Sequence, residues 1–174
     1  MDLANHKLDE RDRLIAGYAA IAIAIHVLES AFPSPLPGIK PGLANVVVLI
    51  VLLRHGIHCA IWVGMLRVLG GSLLAGTFLT PTFLLSMAGA LASLTALSLT
   101  FVVLRHAASA IGYGIISAMA HVAGQITAAY FIFMPHPALL SMMPVLTSLA
   151  MVLGIASGLV CAQLLKQMKP VVAI

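Results

Sequence analysis

The sequence predicts an all-α integral membrane protein, a bundle of six transmembrane helices with both termini in the cytoplasm. Three features of the chain predict it. Of its 174 residues 61% are hydrophobic and 8% charged, and mean hydropathy is +1.12, which leaves too little polar surface for a soluble domain of this length. The apolar residues gather into stretches of bilayer-spanning length. Lys and Arg fall largely on one side of those stretches.

Residues 1–13 are polar and mixed in charge. They read as a cytoplasmic tail and not a cleavable signal, because no short apolar core with a small-residue cleavage site follows. Residues 14–165 form the transmembrane domain, with spans expected over 14–32, 43–53, 57–78, 82–104, 111–133 and 142–165. The second is short, and starts either as a helix of little tilt or as a non-helical segment dipping into the protein. Residues 166–174 read as a second cytoplasmic tail. Six spans put Lys7, Arg11, Arg13, Arg54, Arg105, Lys166 and Lys169 on one side and only Lys40 on the other, so the positive side is the cytoplasmic one. Trp62, Tyr113 and Tyr130 lie near span ends, where interfacial anchors belong.

Small residues mark where helices approach. Ala16, Ala20 and Ala24 recur every fourth residue and form one smooth strip on the first span. The strip serves either packing within the bundle or the docking of a partner helix. Gly154 and Gly158, the ridge Ala120, Gly124 and Ala128, and Gly89 with Ser93 read as packing inside the bundle. Cys59 and Cys161 read as free thiols packed as small apolar groups.

The connection between the first two spans holds Pro33, Pro35, Pro37, Gly38, Pro41 and Gly42, which forbid a helix across it. It also carries Leu36 and Ile39, and such a stiff, partly apolar loop is suited to cover a cavity. Lys40 stands beside the start of the second span, where unpaired amides and the positive end of the helix dipole favour an anion. Glu29 and Arg67 are the charged residues within spans. Burying either alone costs at least ~2.5–3.5 kcal/mol on insertion scales, so they are expected to pair directly or through a ligand. Gly64, Gly70 and Gly71 leave a notch beside Arg67, fit for an anionic group or a close helix crossing. His26, Asn45, His121 and Gln125 are the further polar groups placed to line one cavity with them, while His55, His58 and His106 fall at the cytoplasmic interface. No clustered ligand spacing points to a metal or haem.

No catalytic constellation is visible. The acids are Asp2, Asp9, Glu10, Asp12 and Glu29, and metal-assisted diphosphate chemistry needs clustered carboxylates. No phosphate-binding glycine loop is present. The chain is therefore expected not to be an enzyme, to need no cofactor and to bind no nucleic acid. Any energy for transport must come from a partner or from ions.

The stretch Pro37-Gly38-Ile39-Lys40-Pro41-Gly42-Leu43-Ala44-Asn45 resembles the signature of the Gx transporter family, also called heptaprenyl diphosphate synthase component I. Arg67 with Leu69-Gly70 and the stretch Phe83-Leu84-Leu85-Ser86-Met87-Ala88-Gly89 resemble further family blocks, and the likeness is weakest after His106. Pro41 departs from the pattern, where an apolar residue such as leucine is expected. That family is similar to substrate-binding subunits of energy-coupling-factor transporters. The resemblance implies a multi-pass protein of the bacterial inner membrane that captures a small ligand from outside, and the positive groups Lys40 and Arg67 point to negative charge on that ligand. The loop would close over the ligand through Pro35, Pro37, Gly38 and Gly42, with Glu29, Lys40, Asn45, Arg67, His121 and Gln125 around it. Ala16, Ala20 and Ala24 would dock a transmembrane coupling subunit served by ATPase subunits. The alternative is an accessory membrane component of isoprenoid or quinone synthesis, partnered with a separate prenyl synthase.

Overall fold

Helix α1 begins at Asp2 and runs unbroken to Ala31, so the polar residues of the expected N-terminal tail continue the first span as helix. No Pro or Gly interrupts residues 2–16, which leaves no local reason for the helix to stop. The computed structural model describes residues 2–31, 42–104 and 107–168. Beyond α1 these form α2 (Leu43–His55), α3 (Ile57–Leu74), α4 (Pro81–Leu104), α5 (Ala110–Ala128), a π-helical turn (Ala129–Phe133), α6 (Pro137–Ser141) and α7 (Met143–Gln167). Five helical stretches are long and apolar enough to cross a membrane, and α2 is the shorter exception. Arg105, His106 and the C-terminal stretch with Lys169 lie outside the described residues.

Helix α2 is the centre of the bundle. It packs against α1, α3, α5 and α7. Every residue from Val46 to Leu52 is buried, so its apolar sequence faces protein all round. That explains why 13 residues suffice. Such a helix is about 20 Å long, well short of the roughly 30 Å hydrocarbon core, and a segment sheathed by other helices need not match the lipid. Glycines at both ends let it turn sharply: Gly42 (φ 74°) and Gly56 (φ 82°) are left-handed, a region that L side chains avoid.

The main core fills the half of the bundle nearest the start of α1 and the end of α7. It holds α2 together with Ala22, Cys59, Ala60, Val63, Leu94, Leu97, Tyr113 and Cys161. Tyr113 is fully buried there, so it is a core side chain and not the expected interfacial anchor. Its ring sits 6.4 Å from that of Phe101, and α5 turns this position inward although it lies near a helix end. Trp62 is half-exposed, as an anchor would be. Both cysteines are free and buried.

The glycines of α5 and α7 meet backbone to backbone. A Cβ on Gly158 would stand 2.8 Å from the Ala110 carbonyl oxygen, and one on Gly154 would stand 2.7 Å from the Gly114 carbonyl oxygen. Gly124 likewise packs on Ala88 and Ala92 of α4. These ridges are intramolecular, as expected. The strip on α1 differs: Ala16, Ala20 and Ala24 are all exposed, and a Cβ on neighbouring Gly17 would meet nothing within 4 Å.

Gly158→Leu should therefore wedge α5 from α7 and cost upward of ~3 kcal/mol, beyond the usual overpacking range. Gly17→Leu should change stability by less than about 0.5 kcal/mol. Thermal unfolding of the two variants in detergent checks both.

Candidate functional site

A cavity of about 430 Å³ occupies the other half of the bundle, above the N-terminal end of α2. The outer helices run past the point where α2 starts, and among the described residues no helix takes its central place there. Its volume falls within the roughly 300–1,000 Å³ of small-molecule sites. Of the residues singled out in the sequence, Glu29, Gly42, Asn45, Arg67, His121 and Gln125 all border this one space, with His26 beside them. Pro35, Pro37, Gly38 and Lys40 lie outside the described residues.

The walls differ in character. One side is polar: His26 and Glu29 from α1, Asn45 from α2, Arg67 from α3, and His121 and Gln125 from α5. The α6–α7 side is apolar, with Leu139, Leu146, Ala150 and Leu153. Thr82, Ser86 and Ser157 add hydroxyls that the sequence reading missed. The spacing of Thr82 and Ser86, one helical turn apart near the start of α4, was the available signal.

Glu29 caps a helix that it does not belong to. Its Oε1 accepts a hydrogen bond from the Leu43 amide at 2.6 Å. Gly42, the N-cap residue of α2, has no side chain with which to do so. An orphan amide at the end of a buried helix needs an acceptor, and a carboxylate also matches the positive dipole end. Arg67 is 7% exposed and Glu29 8%. They border the same cavity, and among the described residues Arg67 Nε has no hydrogen-bond partner.

The notch expected beside Arg67 is filled by neighbouring helices. A Cβ on Gly70 would lie 2.6 Å from Ile23 Cδ1, one on Gly71 would strike the His26 ring, and one on Gly64 would lie 2.9 Å from Leu94 Cδ2. These glycines bring α3 against α1 and α4. Gly89 has a different use, since a Cβ there would stand 2.8 Å from both His121 Nε2 and Gln125 Cγ. The missing side chain on α4 seats two cavity residues of α5.

Asn45 is held by a hydrogen-bonded chain across three helices. Its Nδ2 donates to Ser117 Oγ at 2.6 Å, and the Ser117 and Ser93 hydroxyls are 2.7 Å apart. Ser117 and Ser93 are buried, so the chain fixes the amide at the cavity floor. Among the described residues no group of three His, Cys, Asp or Glu converges, so no metal-binding set is present among them.

Comparison with known proteins places these features in a family. A model of the family described as heptaprenyl diphosphate synthase component I matches residues 18–164. The chain belongs to that family, and the match continues past His106 into the part where the resemblance was weakest. No curated protein and no solved structure matches the chain.

Ser117→Ala should leave the Asn45 amide without its acceptor and lower stability by about 1–3 kcal/mol, the usual cost of an unsatisfied buried donor. Ser93→Ala should cost less, because Ser117 keeps its bond to Asn45. Denaturation of the two variants in the same detergent ranks them.

Proposed function

We propose that this member of the heptaprenyl diphosphate synthase component I family is a membrane-embedded capture subunit. It holds a small molecule with an anionic group in the bundle cavity and serves heptaprenyl diphosphate synthesis as an accessory membrane component. The observation that carries the proposal is Arg67: a guanidinium almost wholly buried, bordering a ligand-sized cavity, with an Nε that has no hydrogen-bond partner among the described residues. A cation in that position is costly without a role, and a ligand anion supplies both the charge and the acceptor. The family name supports a link to prenyl-chain synthesis. The chain acts as a non-catalytic partner, since Glu29 is its one carboxylate side chain beyond residue 12 and condensation of prenyl diphosphates through a metal needs several together.

A second reading has its own observation. The strip Ala16, Ala20 and Ala24 faces outward, exposed among the described residues. Small residues on an unpartnered membrane helix allow another helix to approach closely, which favours a transmembrane partner. A coupling subunit of an energy-coupling-factor-type uptake system would use this face, as would a membrane anchor of a prenyl synthase complex.

Mass spectrometry of small molecules that co-purify with the chain in detergent separates capture from scaffolding. The wild type should carry a specific anionic metabolite, and Arg67→Gln should lose it while remaining folded. Identical small-molecule profiles for the two proteins would overturn capture. Ala20→Leu should abolish recovery of the transmembrane partner in a pull-down with no more than about 0.5 kcal/mol change in stability.

A further inference from the structure

Glu29 and Arg67 are two opposite charges buried on the wall of one cavity, and among the described residues no hydrogen bond joins them. Buried ions are ordinarily satisfied by close partners with good hydrogen-bond geometry. Glu29 gives an acceptor to the Leu43 amide, but a backbone amide leaves the formal charge in place, and the end of a helix offsets only about half a charge. Arg67 keeps an unpartnered Nε. The cavity therefore presents one negative and one positive group, each facing a space that a ligand would fill.

Ligand charge then decides the fit. A purely anionic ligand satisfies Arg67 but brings a like charge beside Glu29, and a purely cationic one does the reverse. Between groups as buried as these such repulsion is stronger than in water. A ligand bearing both charges meets both groups. The apolar wall of Leu139, Leu146, Ala150 and Leu153 leaves room for a hydrocarbon body on the side away from the charges.

We infer that the ligand of this cavity is a zwitterion with an apolar body. Its anionic group lies on Arg67, its ammonium-type group on Glu29, and its hydrocarbon part against α6 and α7. The inference rests on the capture reading above and names the ligand class for that site. His121 and Gln125, seated by Gly89, flank the same space and orient the polar end.

Three probes with a common phenylethyl core test it: L-phenylalanine, 3-phenylpropanoate, which lacks the amine, and 2-phenylethylamine, which lacks the carboxylate. Binding is measured by titration calorimetry on the full chain in detergent. L-phenylalanine should bind at least about tenfold more tightly than either of the others, the gain expected from one further charge-assisted hydrogen bond. Glu29→Gln keeps an acceptor for the Leu43 amide and should erase the advantage over 3-phenylpropanoate. Arg67→Gln should erase the advantage over 2-phenylethylamine, and Arg67→Lys should recover part of it. If 3-phenylpropanoate binds as tightly as L-phenylalanine, with Glu29→Gln neutral or tightening, the zwitterion inference falls and anion capture stands. If none of the three binds to the folded wild type, the inference also falls, and the co-purification experiment decides capture separately.

Discussion

The bond from Glu29 to the Leu43 amide is the interaction on which the rest of this structure turns. A helix that stops inside a membrane protein exposes amides that no water is there to satisfy. Here α2 stops short, and its first residue finds its acceptor on α1, 14 residues back in the chain. Given that cap, a 13-residue helix can stand at the centre of a bundle whose other long helices have 18 to 30 residues. The mismatch in length has a direct consequence. One half of the bundle is filled by α2 and the residues packed on it, and the other half is left with a cavity whose floor is the start of α2.

Holding that cavity open places demands on the wall. Helices without a central partner must grip one another, and α5 does most of this. It meets α7 through Gly114, Gly154 and Gly158, and α4 through Gly124. In a membrane, close backbone approach of this kind replaces the hydrophobic drive that holds soluble bundles together. Gly89 extends the same economy to the site. Where the other glycines admit a neighbouring helix, this one admits the side chains of His121 and Gln125, so the grip between α4 and α5 and the lining of the cavity are set by a single missing methyl group. The Asn45–Ser117–Ser93 chain adds directionality that packing lacks.

The spans were legible because lipid imposes length and apolarity on them, and the shortness of α2 was visible for the same reason. Glu29, Asn45, Arg67, His121 and Gln125 could be singled out because polar groups are costly in such segments wherever they point. Their convergence was harder to read, since it depends on how four helices cross. Glu29 shows the limit most clearly. Its burial cost is written in the sequence, but its partner is a backbone amide, which carries no residue-type signal at all. The glycines around Arg67 show a second limit: spacing says that a side chain is missing, and only the crossing of α1 and α4 over α3 says what takes its place. Tyr113 fails for a third reason, because nearness to a helix end along the chain does not fix which way a side chain faces.

The arrangement of charge follows from the same constraint. Once Glu29 is committed to the end of α2, it is tied to the cavity floor. The fold leaves Arg67 Nε without a hydrogen-bond partner among the described residues, against the general tendency of buried polar groups to be satisfied. Local departures of that kind are expected where a protein sacrifices stability to a site. The cap that allows the helix to be short is therefore also what keeps the cavity polar at one end, and architecture and binding chemistry reduce to one carboxylate.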